Sequence, residues 1–121
     1  MSEPILSTPL CFEAAVQRQL VLACGLNGEL TGHREIIVEV IAASKALDLY
    51  DVVVDFRELE AMLDEQLRPL QGNLPENFGV RDLLQIASNI ARNLAPRVPA
   101  LSKITEINFI DNLGRCVSLH P

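Results

Sequence analysis

Basic side chains are the minority in this chain: ten Lys and Arg stand against sixteen Asp and Glu, a formal charge of −6. Nonspecific nucleic-acid affinity comes from basic groups neutralising phosphates, so this balance excludes a protein that coats duplexes and allows at most a local basic pocket. Cysteine is scarce and odd in number. Cys11, Cys24 and Cys116 include no C-x-x-C pair, which suits neither a disulfide framework nor a thiolate zinc cage and fits a reducing cytoplasm. Tryptophan is absent and aromatics are few, yet half the residues are apolar and no tract is of low complexity. That composition belongs to a globular protein rather than a disordered one. No apolar run approaches the roughly 18 residues of a membrane span, and Met1 to Leu10 lacks a basic n-region followed by a long apolar core. These absences predict a soluble cytoplasmic protein, and 121 residues predict a single domain over 1–121.

What is present follows a readable order. Leu10 to Val16 is a short apolar run; after the polar interruption Gln17 to Gln19, a second run from Leu20 to Cys24 leads into "GLNGELTG", which reads as a loop. Ile36 to Ala43 is β-branched and apolar apart from Glu39, and "DVVVDF" (Asp51 to Phe56) reads as a further short strand. A helix then opens at Asp55, whose side chain caps it while Glu58 completes a capping-box pattern. Leu59, Met62, Leu63, Leu67 and Leu70 share one face of it. A second helix aligns Leu83, Ala87, Ile90 and Leu94 and stops at Pro96 and Pro99. Ile104 to Ile110, a turn around "DNLG" and Arg115 to Leu119 form a closing hairpin, with Gly114 free to take positive φ.

The order ββααββ, with a possible extra strand before the helices, predicts an α+β domain: a four-stranded antiparallel sheet with two helices packed on one face. Each buried Leu or Ile contributes roughly 1.5–3 kcal/mol, enough for two apolar stripes to hold the helices to the sheet. The opposite sheet face is less polar than a solvated face should be. Ile104 to Ile110 reads as a long edge strand open to pairing with another chain.

"CFEAAV", "TGH" at the mouth of a β-branched strand, "VVVDFRELE" and the terminal hairpin together resemble the 6-pyruvoyl tetrahydropterin synthase and 6-carboxytetrahydropterin synthase family over Phe12 to about Leu119. The resemblance implies the tunnelling fold, in which subunits join their sheets into a barrel and bind pterins at the interfaces. It also implies zinc-dependent lyase work on dihydroneopterin triphosphate in biopterin or queuosine pathways. The implied partners are copies of the chain itself, as a trimer or a hexamer of two stacked barrels, and a pterin-like small molecule.

The departures from the family pattern weigh more than the matches. Its three zinc histidines fall, without a gap, on Val16, Thr31 and His33, so only His33 keeps a ligand. Zinc needs three or four protein ligands, so the expected cofactor is none. Under the same register, histidines restored at 16 and 31 should bring metal binding back. The family's active cysteine falls on Asn27, and the L-D-H stretch that activates it on Leu70, Gln71 and Gly72. The carboxylate that grips the pterin's amino-pyrimidine edge falls on Asn108, which lacks the charge for two N–H groups. Glu106, two residues earlier on the same strand face, is the candidate replacement.

A second register, matching "CGLNGE" to a C-G-x-L-H-G-H motif, keeps Cys24 as a thiol and puts Asn27 and Glu29 where histidines would be. The resemblance therefore implies a homologue without zinc-dependent lyase activity, with a remodelled pocket for a pterin-like or purine-like ring. Two alternatives stay open. One is a pterin-metabolising lyase or aldolase-like enzyme that uses Cys24, Glu29, His33 or Glu106; the other is a structural subunit paired with an intact paralogue.

Overall fold

The computed structural model describes residues 12–26, 29–44, 54–72, 80–99 and 102–121, with 23–26, 29–34 and 80 described by backbone only. Its elements run β1 (Phe12–Leu26), β2 (Glu29–Ser44), α1 (Phe56–Leu67), α2 (Val80–Leu94), β3 (Ser102–Ile110) and β4 (Cys116–Leu119). The strands form one open antiparallel sheet in the order β1-β2-β3-β4. The protein is thus an α+β domain of the expected composition, and no helix of the described residues is long and apolar enough to cross a membrane.

Both helices cover the same sheet face, α1 against β1 and α2 against β3 and β4. Alternation along the strands sends Ala14, Val16, Leu20 and Leu22 of β1, and Ile36, Val38, Val40 and Ala42 of β2, into the core beneath the helices. Ile104, Ile107 and Phe109 of β3 join them. From above, α1 contributes Leu59, Met62, Leu63 and Leu67, and α2 contributes Ala87, Ile90, Ala91 and Leu94. Leu70 and Leu83 are partly buried at its margin. Asp55 caps α1, its Oδ1 accepting from Arg57 N at 2.9 Å and Glu58 N at 3.4 Å.

Three sequence expectations change. The polar stretch Gln17 to Gln19 does not interrupt β1: Gln17 and Gln19 point to the open face, while Arg18, on the core face, runs out to an ion pair with Asp64. Arg18 Nε lies out of water 3.0 Å from Asp64 Oδ1 without the alignment of a hydrogen bond, so charge rather than geometry holds it. The stretch "GLNGELTG" is strand apart from Asn27 and Gly28, which lie outside the described residues, and β2 begins seven residues before Ile36. The strand read over Asp51 to Phe56 is not one at its end: Val54 is a buried bend, Asp55 a helix cap and Phe56 the first residue of α1, with Asp51 to Val53 outside the described residues.

The edges of the sheet are β1 and β4 rather than Ile104 to Ile110. β3 pairs with β2 along its length and with β4 over Ile107 to Ile110. A bulge at Thr105, whose hydroxyl donates to Ile41 O at 3.3 Å, breaks the β2–β3 register between Ile41 and Ala42. The extra residue returns Ile104 to the core while Glu106 and Asn108 stay on the opposite face. At the other end Asp111 N donates to Arg115 O and Gly114 N to Asp111 O, closing a three-residue turn with Gly114 at φ +82°.

Candidate functional site

On the sheet face away from the helices, one row of polar residues crosses all four strands. Strand pairing sets Gln17 opposite Glu39, Glu39 opposite Asn108 and Asn108 opposite Ser118. Their side chains join along that row. Gln17 Nε2 donates to Glu39 Oε2 at 2.8 Å, Asn108 Nδ2 donates to Glu39 Oε1 at 2.8 Å, and Ser118 Oγ donates to Asn108 Oδ1 at 2.5 Å.

A second pair adjoins the row. Asn108 Nδ2 also donates to Glu106 Oε2 at 2.7 Å, and Glu106 Oε1 lies 2.8 Å from His120 Nε2. An ionised carboxylate only accepts, so Nε2 carries the proton in this contact. Asn108, 5 % exposed, uses its one amide nitrogen to bridge the side chains of Glu39 and Glu106. By strand alternation Ile37, Ile41 and Ile110, all half-buried, flank the row on the same face.

The carboxyl of Glu106 is held below its ordinary range, first by the Asn108 amide, then by the hydrogen bond and charge of His120; burial pushes the other way. The result is a fixed anionic acceptor on a face with apolar neighbours. Such a surface can receive N–H donors at its carboxylates and a flat ring against its isoleucines.

Of the residues singled out from sequence, the structure brings Asn108 and Glu106 into direct contact. It does not bring the three zinc positions together. Val16 pairs with Val40 and is buried under the helices, whereas His33 pairs with Ala23. Positions 16 and 23 are seven residues apart on β1, roughly 23 Å at the rise of a strand. Val16 offers no donor, and the residues at these positions do not fit a shared zinc ion. Among the described residues, no group of three or more His, Cys, Asp or Glu is placed to hold a metal.

Cys24 pairs with Gly32 and Glu29 with Leu26 at the β1–β2 end, while Glu106 pairs with Ile41, eight residues along β2 from His33. The candidates Cys24, Glu29 and His33 therefore stand apart from Glu106. Asn27 lies outside the described residues, as do the side chains of Thr31 and His33.

Gln71 and Gly72, which the resemblance aligns with catalytic positions of that family, bond to the backbone of β1. Gln71 Oε1 accepts from Val21 N at 2.9 Å, its Nε2 donates to Gln19 O at 3.0 Å, and Gly72 N donates to Val21 O at 2.7 Å.

Glu39, Gln17, Ser118 and His120 were not candidates from sequence. Counting outward from the turn closed by Asp111 and Arg115 pairs Asn108 with Ser118 and sets His120 across from Glu106, a signal available once the hairpin is recognised. No model of a known protein family matches the chain, and no curated protein is significantly similar to it.

Proposed function

We propose that this chain is a tunnelling-fold homologue of the pterin synthases that has lost their zinc-dependent lyase chemistry and binds a pterin-like or purine-like ring on its open sheet face. The observation that carries the reading is the contact of Asn108 with Glu106 and Glu39 on that face. The resemblance assigns the ring anchor to Asn108, which lacks the charge; its amide instead holds two carboxylates beside the vacated role. Glu106, kept ionised by Asn108 and His120, supplies the acceptor for two N–H groups of an amino-pyrimidine edge. Ile37, Ile41 and Ile110 offer apolar surface to the ring. The open antiparallel sheet with both helices on one face also supports assembly into a trimer or hexamer, which light scattering of the purified chain checks.

The enzyme reading, which uses Cys24, Glu29, His33 or Glu106, would have to work from one end of the β1–β2 ladder or from Glu106 alone, since Glu106 lies far along the ladder from the other three. Metal and turnover test the loss of lyase chemistry. Protein purified with zinc present should retain well below one zinc per chain and leave dihydroneopterin triphosphate unchanged. Val16→His should add nothing to the zinc content of a Thr31→His variant, because position 16 faces the helices and is distant from the rung of His33. One tightly held zinc in the wild type, or measurable lyase turnover, overturns the reading.

A further inference from the structure

An edge strand exposes a row of backbone N–H and C=O groups that can template the pairing of another chain. On β1 the C=O of Gln19 and both the N–H and C=O of Val21, which point away from β2, are taken by the turn after α1: Gln71 presents its side-chain amide as a peptide group would, and Gly72 N–H donates to Val21 O. Gly72 sits at φ +78° with open space where a Cβ would be. Its backbone conformation, not crowding, demands glycine there. Leu70, the residue before Gln71, packs against the core, and Arg18 on β1 is tied to Asp64 of α1. The turn is therefore anchored on both sides of the contact. A charged residue on the inward face of an edge strand is itself a known guard against strand addition. Among the described residues, the outward backbone groups of Glu13, Ala15 and Gln17 have no such cover.

We propose that the Gln71–Gly72 turn is an edge plug: a side-chain imitation of a fifth strand that blocks pairing of a second copy of this chain along Gln19 to Val21 and confines any strand addition on β1 to the segment before it. The plug uses no residue of the polar row, so its failure and that of the ring-binding reading are separable.

Hydrogen exchange of the Val21 amide and light scattering over a concentration series test it together, in the wild type and in Gln71→Ala. Losing the acceptor should make Val21 exchange about tenfold faster while Val38 and Val40 in the central strand keep their protection. The mass of Gln71→Ala should climb with concentration above the wild type's own discrete size. Gln71→Asn, which keeps the amide but shortens its reach, should shift both readouts in the same direction and serves if the alanine variant does not fold. Val21 exchange unchanged from the wild type overturns the proposal. So does faster exchange with no change in mass, which makes the contact only a tether for the end of α1.

Discussion

Asn108 shows how one residue type at one register position decides what a face can do. Its amide satisfies Glu39 and Glu106 at once and takes a hydrogen bond from Ser118, so two acidic side chains lie near each other without a buried positive charge. Asn108→Ala should therefore let the Glu106 carboxyl titrate back up toward its ordinary range, observed by carbon NMR of the side chain. The sign follows from the depressed folded-state value. Glu106 stabilises the fold above the usual carboxylate range, and that contribution is lost as pH falls through its lowered pKa. A Glu106 titration unchanged by the substitution would mean that His120 alone sets it. Asn108 and Glu106 were legible in the sequence as a pair two residues apart on one strand face. Glu39 was not, because its partners across β1 and β3 depend on two strand registers at once; His120 was within reach by counting outward from the hairpin turn.

At the scale of elements, the helices were the most legible part, because their apolar spacing and the Asp55 cap are local signals. Leu63, fully buried between α1 and the sheet, should cost about 2–5 kcal/mol when cut to alanine. Leu113, 71 % exposed in the hairpin turn, should change stability by less than about 0.5 kcal/mol. Urea unfolding of the two variants checks the contrast, and equal losses would mean that the helix face is wrongly assigned. The strands were harder to read. Gln17 and Gln19 look like a break when read as a run and like one face of a strand when read with period two. The bulge at Thr105 left a trace in the odd spacing of Ile104 from Ile107 and Phe109, since strict alternation would put Ile104 on the open face. "DVVVDF" shows the opposite error: β-branched residues suggested a strand, but Asp55 and the helical stripe that follows it win the last two positions for α1.

For the whole molecule, the separation of faces is what matters. One side of the sheet is closed by two helices over a continuous apolar core; the other carries a polar row with two carboxylates, a histidine and flanking isoleucines. The sequence contained both faces, but it could not reveal that Val16 and His33 sit on distant rungs of a long hairpin. That separation depends on where the β1–β2 turn falls, and "GLNGELTG" contains several glycine and asparagine signals that compete to place it. The ring-binding claim depends on the open face, so a calorimetric titration of neopterin into zinc-free wild type, Glu106→Gln and Asn108→Ala tests it most directly. The account predicts saturable binding by the wild type, weakened at least about tenfold in Glu106→Gln through loss of the charge-assisted acceptor and weakened in Asn108→Ala as well. No binding by the wild type, or equal binding by wild type and Glu106→Gln, would contradict it.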